Sequence, residues 1–364
     1  MNKIIFGDCR KTMRQLAEDG VKVQMCVTSP PYYGLRDYGT SSWEGGDADC
    51  NHSISMPTKW NDPNRGTSVL RPEVSHRGGD SSHCHLCGAK RIDLQIGLEE
   101  TPEQYIAAMV EVFRCVKDIL SDDGVLWVNI GDSYNGSGGQ GTKPNIMSQE
   151  AAEGRGGKAI KVDSLKPKDL IGIPWMLAFA LRSDGWYLRQ DIIWNKPNPM
   201  PESVQDRCTK SHEYIFLLSK SQKYFYDNEA IKEPAHTTDE SNRDRDASRL
   251  NNTPGRTRMA GLKTNHYEMK NKRSVWTVNT KPYSGAHFAV FPEELIEPCI
   301  LAGSRIGDVV LDPFMGSGTT AQVAQQLGRK YLGCELNEDY KELQNRRVAQ
   351  QSLNLNCGEI HENI

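Results

Sequence analysis

A doubly wound α/β fold on a mostly parallel sheet is predicted from three features. The chain opens on a β-α-β pattern, closes on another with a glycine turn between strand and helix, and alternates helical and apolar strand segments between them. The opening run KIIFGDC reads as a short buried strand ending at Gly7-Asp8. RKTMRQLAEDG follows as a helix with a glycine stop, and VKVQMCVTSPP as a second strand. Pro30 and Pro31 must end that strand, because proline cannot donate to a sheet ladder. One proline would suffice for folding. A second, followed by two tyrosines in TSPPYYG, asks for another reason.

Residues 39–90 are polar and turn-rich, an insertion rather than core. TPEQYIAAMVEVFRCVKDILSDDG is the clearest helix, with Thr101 as cap, Pro102 in the first turn and Gly124 as its stop. VLWVNIGD is then a strand, and residues 136–163, with seven glycines in 28 positions, read as a mobile loop. DLIGIPWMLAFALRSDGW is a helix, while YLRQDIIWNK and HEYIFLLSKSQKYFYD read as strands of a hairpin-like region. After the irregular residues 229–271 come a helix (PEELIEPCILAG), a strand (DVVLDPF), a glycine turn, a helix (TTAQVAQQLG) and a strand (KYLGCEL). No internal repeat is visible.

Hydrophobic residues make up 37% and charged residues 25%, enough to bury a core. The first residues lack the apolar stretch of a signal peptide, and no run approaches the roughly 18 apolar residues of a membrane span. A cytoplasmic protein with no membrane partner is therefore expected. The net charge of −3 is unevenly spread. Residues 247–281 carry Arg249, Arg256, Arg258, Lys263, Lys270, Lys272, Arg273 and Lys281 against the single acid Glu268, a net of +7 that leaves −10 elsewhere. Such a local basic stretch is an electrostatic footprint for phosphate.

Of ten cysteines, Cys26, Cys115, Cys299 and Cys334 sit in apolar surroundings and read as small buried hydrophobes. Cys50, His52, Cys84 and Cys87 read differently. The turn C-x-x-C-G in HCHLCGAK has zinc-knuckle form, and four ligands suit a closed structural tetrahedron. The surrounding insertion is poor in apolar residues, so a structural zinc would supply folding energy. His83 and His85 are rival ligands to His52.

In VVLDPFMGSGTTAQVAQQLGRKYLGCELN, Gly316 and Gly318 let the backbone approach a ligand, and the helix near Thr319 offers free N–H groups. Glu335 lies 23 residues beyond Asp312, at the end of the next strand, where an acid holds ribose hydroxyls. Asp312 at the mouth would repel a pyrophosphate but suit a cationic ligand such as S-adenosylmethionine.

DPFMGSGTT and TSPPYYG together resemble the β-class amino-DNA methyltransferases of bacterial restriction–modification systems and phages, in which the catalytic motif also precedes the cofactor motif. The resemblance covers most of the chain. It implies a Rossmann-like methyltransferase sheet with an antiparallel last strand, S-adenosylmethionine as cofactor and double-stranded DNA as substrate. It implies that Asp8 contacts the cofactor's adenine. Phe291 and Pro292 would line the methionine end beside Asp312, Pro313, Phe314, Gly316, Ser317, Gly318 and Thr319, with Glu335 on the ribose. DIIWNKPNPMPES resembles the segment lining the base pocket, which makes Trp194, Asn195, Lys196 and Pro197 its candidates. Asn129 and Asp132, at a strand end, face the same cleft by topology.

The chain is accordingly divided into a catalytic domain in three parts (1–45, 91–223 and 282–350), a zinc-binding insertion (46–90), a target recognition region (224–281) and a tail (351–364). In the recognition region the basic residues would meet DNA.

The resemblance also answers the question of the prolines. An exocyclic amino group is a poor nucleophile, because its lone pair is delocalised into the base. Acceptors aimed at its two hydrogens favour the tetrahedral geometry that methylation needs. The Ser29 hydroxyl and the Pro30 carbonyl can be those acceptors, with Pro31 fixing the loop and Tyr32 stacking on a flipped base. Aspartate leads this tetrapeptide in most adenine enzymes, so Ser29 favours cytosine N(4) over adenine N(6). Pro298-Cys299 lies in an apolar helix, which argues against C(5) chemistry. RNA or protein-glutamine methylation, and a DNA-binding protein without turnover, are the remaining alternatives. A cognate endonuclease, and a monomer or homodimer, are compatible with the sequence.

Overall fold

The computed structural model describes residues 1–34, 40–47, 49–52, 59–61, 68–70, 83–136, 161–235, 268–281 and 291–355, with backbone alone at 59–61, 68–70 and 350–355. Most of the expected glycine-rich loop lies outside them, as do Arg249, Arg256, Arg258 and Lys263.

Eight strands form one sheet: β1 (Lys3–Phe6), β2 (Val23–Thr28), β3 (Leu120–Ile130), β4 (Tyr187–Asn195), β5 (His212–Ser219), β6 (Val275–Thr277), β7 (Val309–Asp312) and β8 (Lys330–Glu335). Their order is β1-β8-β7-β2-β3-β5-β4-β6. All neighbouring pairs are parallel except β3·β5 and β4·β5, so β5 alone runs backwards. The expected antiparallel strand is therefore present, inside the sheet and not at the end of the chain. The last strand in the chain, β8, is parallel, and the reversed strand is the second arm of the expected hairpin. Reversal brings the start of β5 to the edge where the other strands end.

Helices α1 (Cys9–Glu18), α2 (Pro102–Ile119) and α3 (Ile173–Ser183) cover one face. Helices α4 (Glu293–Gly303) and α5 (Thr319–Gln326) cover the other. α6 (Lys341–Leu355) follows the sheet. Side chains of the central strands divide with period two: Leu126, Val128 and Ile130 pack under α2, whereas Val125 and Trp127 pack on the opposite side. A sheet buried on both faces is what a continuous apolar run such as VLWVNI encodes. Each aliphatic side chain so buried contributes about 1.5–3 kcal/mol.

The Thr101 hydroxyl accepts from the Gln104 backbone N–H, and the Gln104 side chain accepts from Thr101 N–H, a reciprocal cap. The helix ends at Ile119, not at Gly124. Leu120 already pairs with Val23, and the next register pair is Met25 with Val125, so SDDG is an excursion within β3. The expected recognition region is not wholly separate from the catalytic sheet, since Val275–Thr277 is its edge strand β6.

Candidate active site and metal cluster

A cleft of about 770 Å³ opens at the edge where β1, β2, β3, β4, β7 and β8 end and β5 begins. That volume lies within the range of small-molecule and cofactor sites. One half follows β1, β7 and β8. Gly318 caps α5 with φ of +91°, a left-handed conformation that favours glycine, and Gly316 is also left-handed. Glu335 holds this turn: one carboxylate oxygen accepts from Gly316 N–H at 2.6 Å and the other from Asn337 N–H at 2.8 Å. Burial pushes its carboxyl up, and the charge of Asp312 adds to this.

Asp312 itself is buried and fully engaged. It accepts from the Thr28 hydroxyl (2.6 Å), the Thr320 hydroxyl (2.6 Å) and Phe314 N–H (3.0 Å). Burial raises its carboxyl to about 6, against those hydrogen bonds. Asp312 thus ties β2, β7 and α5 together behind the wall and does not line the cleft. Asp8 is the N-cap of α1. Burial opposes its ionisation, yet hydrogen bonds from the Arg10 side chain and backbone hold its carboxyl below the ordinary value. Asp8, Phe291, Pro313, Phe314, Gly316, Ser317, Thr319 and Glu335 line the cleft, whereas Gly318, like Asp312, does not.

The other half follows β2, β3 and β4. Ser29, Pro30, Pro31 and Tyr32 all line it. The Pro31 carbonyl is taken by the Tyr105 hydroxyl of α2 at 2.9 Å, which fixes the double-proline loop to the core. A side chain at Gly131 would come within 2.7 Å of the Tyr32 ring, so glycine there leaves room for it. The Tyr32 hydroxyl donates to Glu213 at 2.7 Å, and Glu213 also pairs with Lys196. Lys196 Nζ lies 4.2 Å from the Trp194 ring centroid.

Trp194 and Lys196 line the cleft, but Asn195 points away and donates to Thr277 of β6 at 3.2 Å. Asn129 donates to Glu213 (3.3 Å) and to the Tyr214 carbonyl (3.1 Å). The Asp132 carboxylate accepts from Gly172 and Ile173 N–H, capping α3. Cys9 also lines the cleft, but burial pushes its thiol up to about 12. It is therefore protonated at neutral pH and no nucleophile.

Away from the cleft, one ligand atom each from Cys50, His52, Cys84 and Cys87 falls within 4.8 Å of every other. The Cys50 and Cys84 sulfurs are 3.9 Å apart, close to the roughly 3.8 Å expected of two thiolates on tetrahedral zinc. Cys87 Sγ lies 3.3 Å from His52 Nδ1, and the His52 ring stacks on Trp43. The geometry selects His52 over His83 and His85.

The sequence matches the DNA methylase family over residues 23–346. The chain belongs to the N6/N4 DNA methylases. Two relatives cover nearly all of it. M.SmaI, a Type II methyltransferase of Serratia marcescens, is 43% identical over 346 residues, spanning 95% of this chain and 90% of that protein. M.Cfr9I, a Type II methyltransferase of Citrobacter freundii, is 41% identical over 352 residues, spanning 96% and 88%. The fold is that of a putative DNA modification methylase from Thermus thermophilus, solved with S-adenosyl-L-methionine (TM-score 0.50, 20% identity, 96% of this chain and 94% of that one). PvuII DNA methyltransferase (cytosine-N4-specific) matches similarly, with TM-score 0.50, 14% identity, and 96% and 93% coverage.

Sequence reading of this methylase missed Glu213, which joins Tyr32 to Lys196, and Lys210, whose burial pushes its ammonium down. The signal for Glu213 was a lone acid at the start of an apolar strand, meaningful only once β5 is known to run backwards. Of the described basic residues, Lys270 and Arg273 face Glu233, and Lys272 lies over Trp276. Cys26, Cys115, Cys299 and Cys334 are buried as expected. Among the described residues no helix is long and apolar enough to cross a membrane.

Proposed function

We propose that this methylase transfers a methyl group from S-adenosylmethionine to the exocyclic amino group of a flipped base in double-stranded DNA, with cytosine N(4) as the target. The observation that carries the reading is one cleft shared by the Ser29–Tyr32 loop and the Gly316–Glu335 turn. The cofactor half offers Asp8 and Glu335, and of the described lysines that line the cleft, Lys196 is paired with Glu213 and Lys281 with Glu294. That donor set suits a cationic nucleoside better than a diphosphate. Glu335 would hold the ribose hydroxyls, with Phe291, Pro313 and Phe314 around the rest. When bound, S-adenosylmethionine supplies an electrophilic methyl carbon on a cationic sulfur.

The chain's own part is to prepare the acceptor. Ser29 Oγ and the Pro30 carbonyl accept the two amino hydrogens and draw the nitrogen toward a tetrahedral geometry. The Tyr32 ring supports the flipped base. No covalent enzyme intermediate is needed. The serine at the head of the loop supports cytosine N(4), and the Type II designation of the relatives supports a restriction–modification setting. The basic segment, with Arg273 exposed, is assigned to DNA contact. The Cys50–His52–Cys84–Cys87 cluster is assigned to a structural zinc, because all four positions are filled and a catalytic ion would keep one open. Elemental analysis should find one zinc per chain, lost in Cys84→Ser.

Nucleoside mass spectrometry on DNA from a methylation-free host expressing the chain tests the main reading. N(4)-methylcytosine is expected. N(6)-methyladenine would overturn the base while keeping cofactor and mechanism. Neither product, from a protein that still binds S-adenosylmethionine, would overturn DNA as the substrate.

A further inference from the structure

Three polar side chains form a chain beneath the cleft. Ser29 Oγ lies 3.5 Å from Tyr32 Oη, and Tyr32 Oη lies 2.7 Å from Glu213 Oε2. An ionised carboxylate can only accept hydrogen bonds. Beside it, the Asn129 amide turns its nitrogen toward Glu213 (3.3 Å) and the Tyr214 carbonyl (3.1 Å), leaving its oxygen 3.3 Å from Tyr32. On that side Tyr32 therefore meets acceptors, and its one hydrogen must point at them. Its oxygen is then free to accept from Ser29. With the Ser29 hydrogen spent inward, the serine lone pairs face the cleft.

We propose that Glu213 is a positioning residue that sets the direction of the Ser29–Tyr32 hydrogen-bond chain, so that Ser29 presents an acceptor, not a donor, to the amino group being methylated. This rests on the methyl-transfer reading above. Without a terminal acceptor the chain can reverse: Tyr32 then donates to Ser29, and Ser29 offers a hydrogen to a nitrogen that already carries two. Two features of the fold keep the carboxylate in place. Antiparallel β5 delivers Glu213 opposite Trp194 of β4, at the edge where the other strands end. Lys196 binds Oε1, which leaves Oε2 to Tyr32 and Asn129. A glutamine at this position has the same shape but can turn an NH₂ toward Tyr32, so it no longer dictates direction.

The test is a set of mutant cycles on the full chain, using whichever acceptor the wild type methylates and single-turnover rates with saturating cofactor. Ser29→Ala, Tyr32→Phe and Glu213→Gln are compared with the double variants. Glu213→Gln should lower the rate about tenfold to a hundredfold, with KM for DNA and S-adenosylmethionine within about twofold of wild type. Tyr32→Phe should do the same. Glu213→Gln/Ser29→Ala should be no slower than Ser29→Ala alone, because there is no hydroxyl left to orient.

A wild-type rate in Glu213→Gln would overturn the proposal, as would a double variant whose loss is the product of the single losses. Should Glu213→Gln not fold, the Tyr32→Phe/Ser29→Ala cycle decides in the same way. A wild type that methylates no DNA counts against the substrate reading instead. The cycles are then read on the acceptor it does use.

Discussion

The two halves of the cleft are held by different means. In the cofactor half, backbone groups do most of the holding. Gly316 and Asn337 N–H bind the Glu335 carboxylate, Gly7 N–H binds its carbonyl at 2.8 Å, and Met315 N–H binds the Cys334 carbonyl at 2.9 Å. In the base half, side chains from two strands, the double-proline loop and the residue after β4 hold one another: Tyr32, Asn129, Lys196 and Glu213. Apart from Gly7, the backbone cradle comes from one contiguous stretch, residues 315–337. The side-chain network comes from distant positions, and in the proposed reading it orients the acceptor atom.

If that division is right, changes in one half should alter affinity and changes in the other should alter rate. The largest effect is expected at Ser29. Ser29→Ala removes one preorganised partner of the reacting nitrogen, which should cost about 10²–10³ in rate at saturating cofactor, with S-adenosylmethionine affinity by calorimetry unchanged. Glu335→Gln should do the reverse, weakening cofactor binding by roughly 1.4–3 kcal/mol while the saturated rate stays within a few-fold. Equal losses of rate and affinity in either variant would erase the distinction between the halves.

Asp312 sharpens it from another side, because it braces the cofactor half from within the core. Its carboxyl is raised from an ordinary 3.8 to about 6, so the folded state holds the proton more tightly than the unfolded chain does. The stability this contributes is full below about pH 4, is lost as pH rises through about 6, and amounts to about 3 kcal/mol. Asp312→Asn exchanges no proton. Stability of the wild type relative to this variant, from urea unfolding, should fall by that amount between pH 4 and pH 7. A constant difference would mean that Asp312 ionises as readily as a solvated acid.

The smallest effect belongs to Arg273, which pairs with Glu233 at 2.6 Å but is largely exposed. Arg273→Ala should change stability by no more than about 0.5 kcal/mol. If the residue meets a phosphate, the slope of log K against log salt for DNA should drop by about one.

How much was legible follows the same line. The glycine turn, Glu335, the double-proline loop and the Thr101 cap were readable, because each is a local pattern whose conformational demand is met within a few residues. The end of α2 was misjudged because Gly124 looks like a helix stop. Pairing of Leu120 with Val23 begins the strand before the glycine is reached. Asp312 was read as a residue at the mouth of the site, but Thr28 and Thr320, distant in sequence, draw its carboxylate inward.

The sequence by itself determined the family, the alternation of strands and helices, and the two motifs that share the cleft. Each of these is written in contiguous residues with their own spacing. Tertiary structure alone decided that β5 of the expected hairpin lies between β3 and β4, that Glu213 therefore reaches Tyr32 and Lys196, and that His52 rather than His83 or His85 completes the cysteine cluster. Those outcomes depend on which distant groups the packed sheet and turns bring within hydrogen-bond or ligand distance. Spacing along the chain does not set that distance.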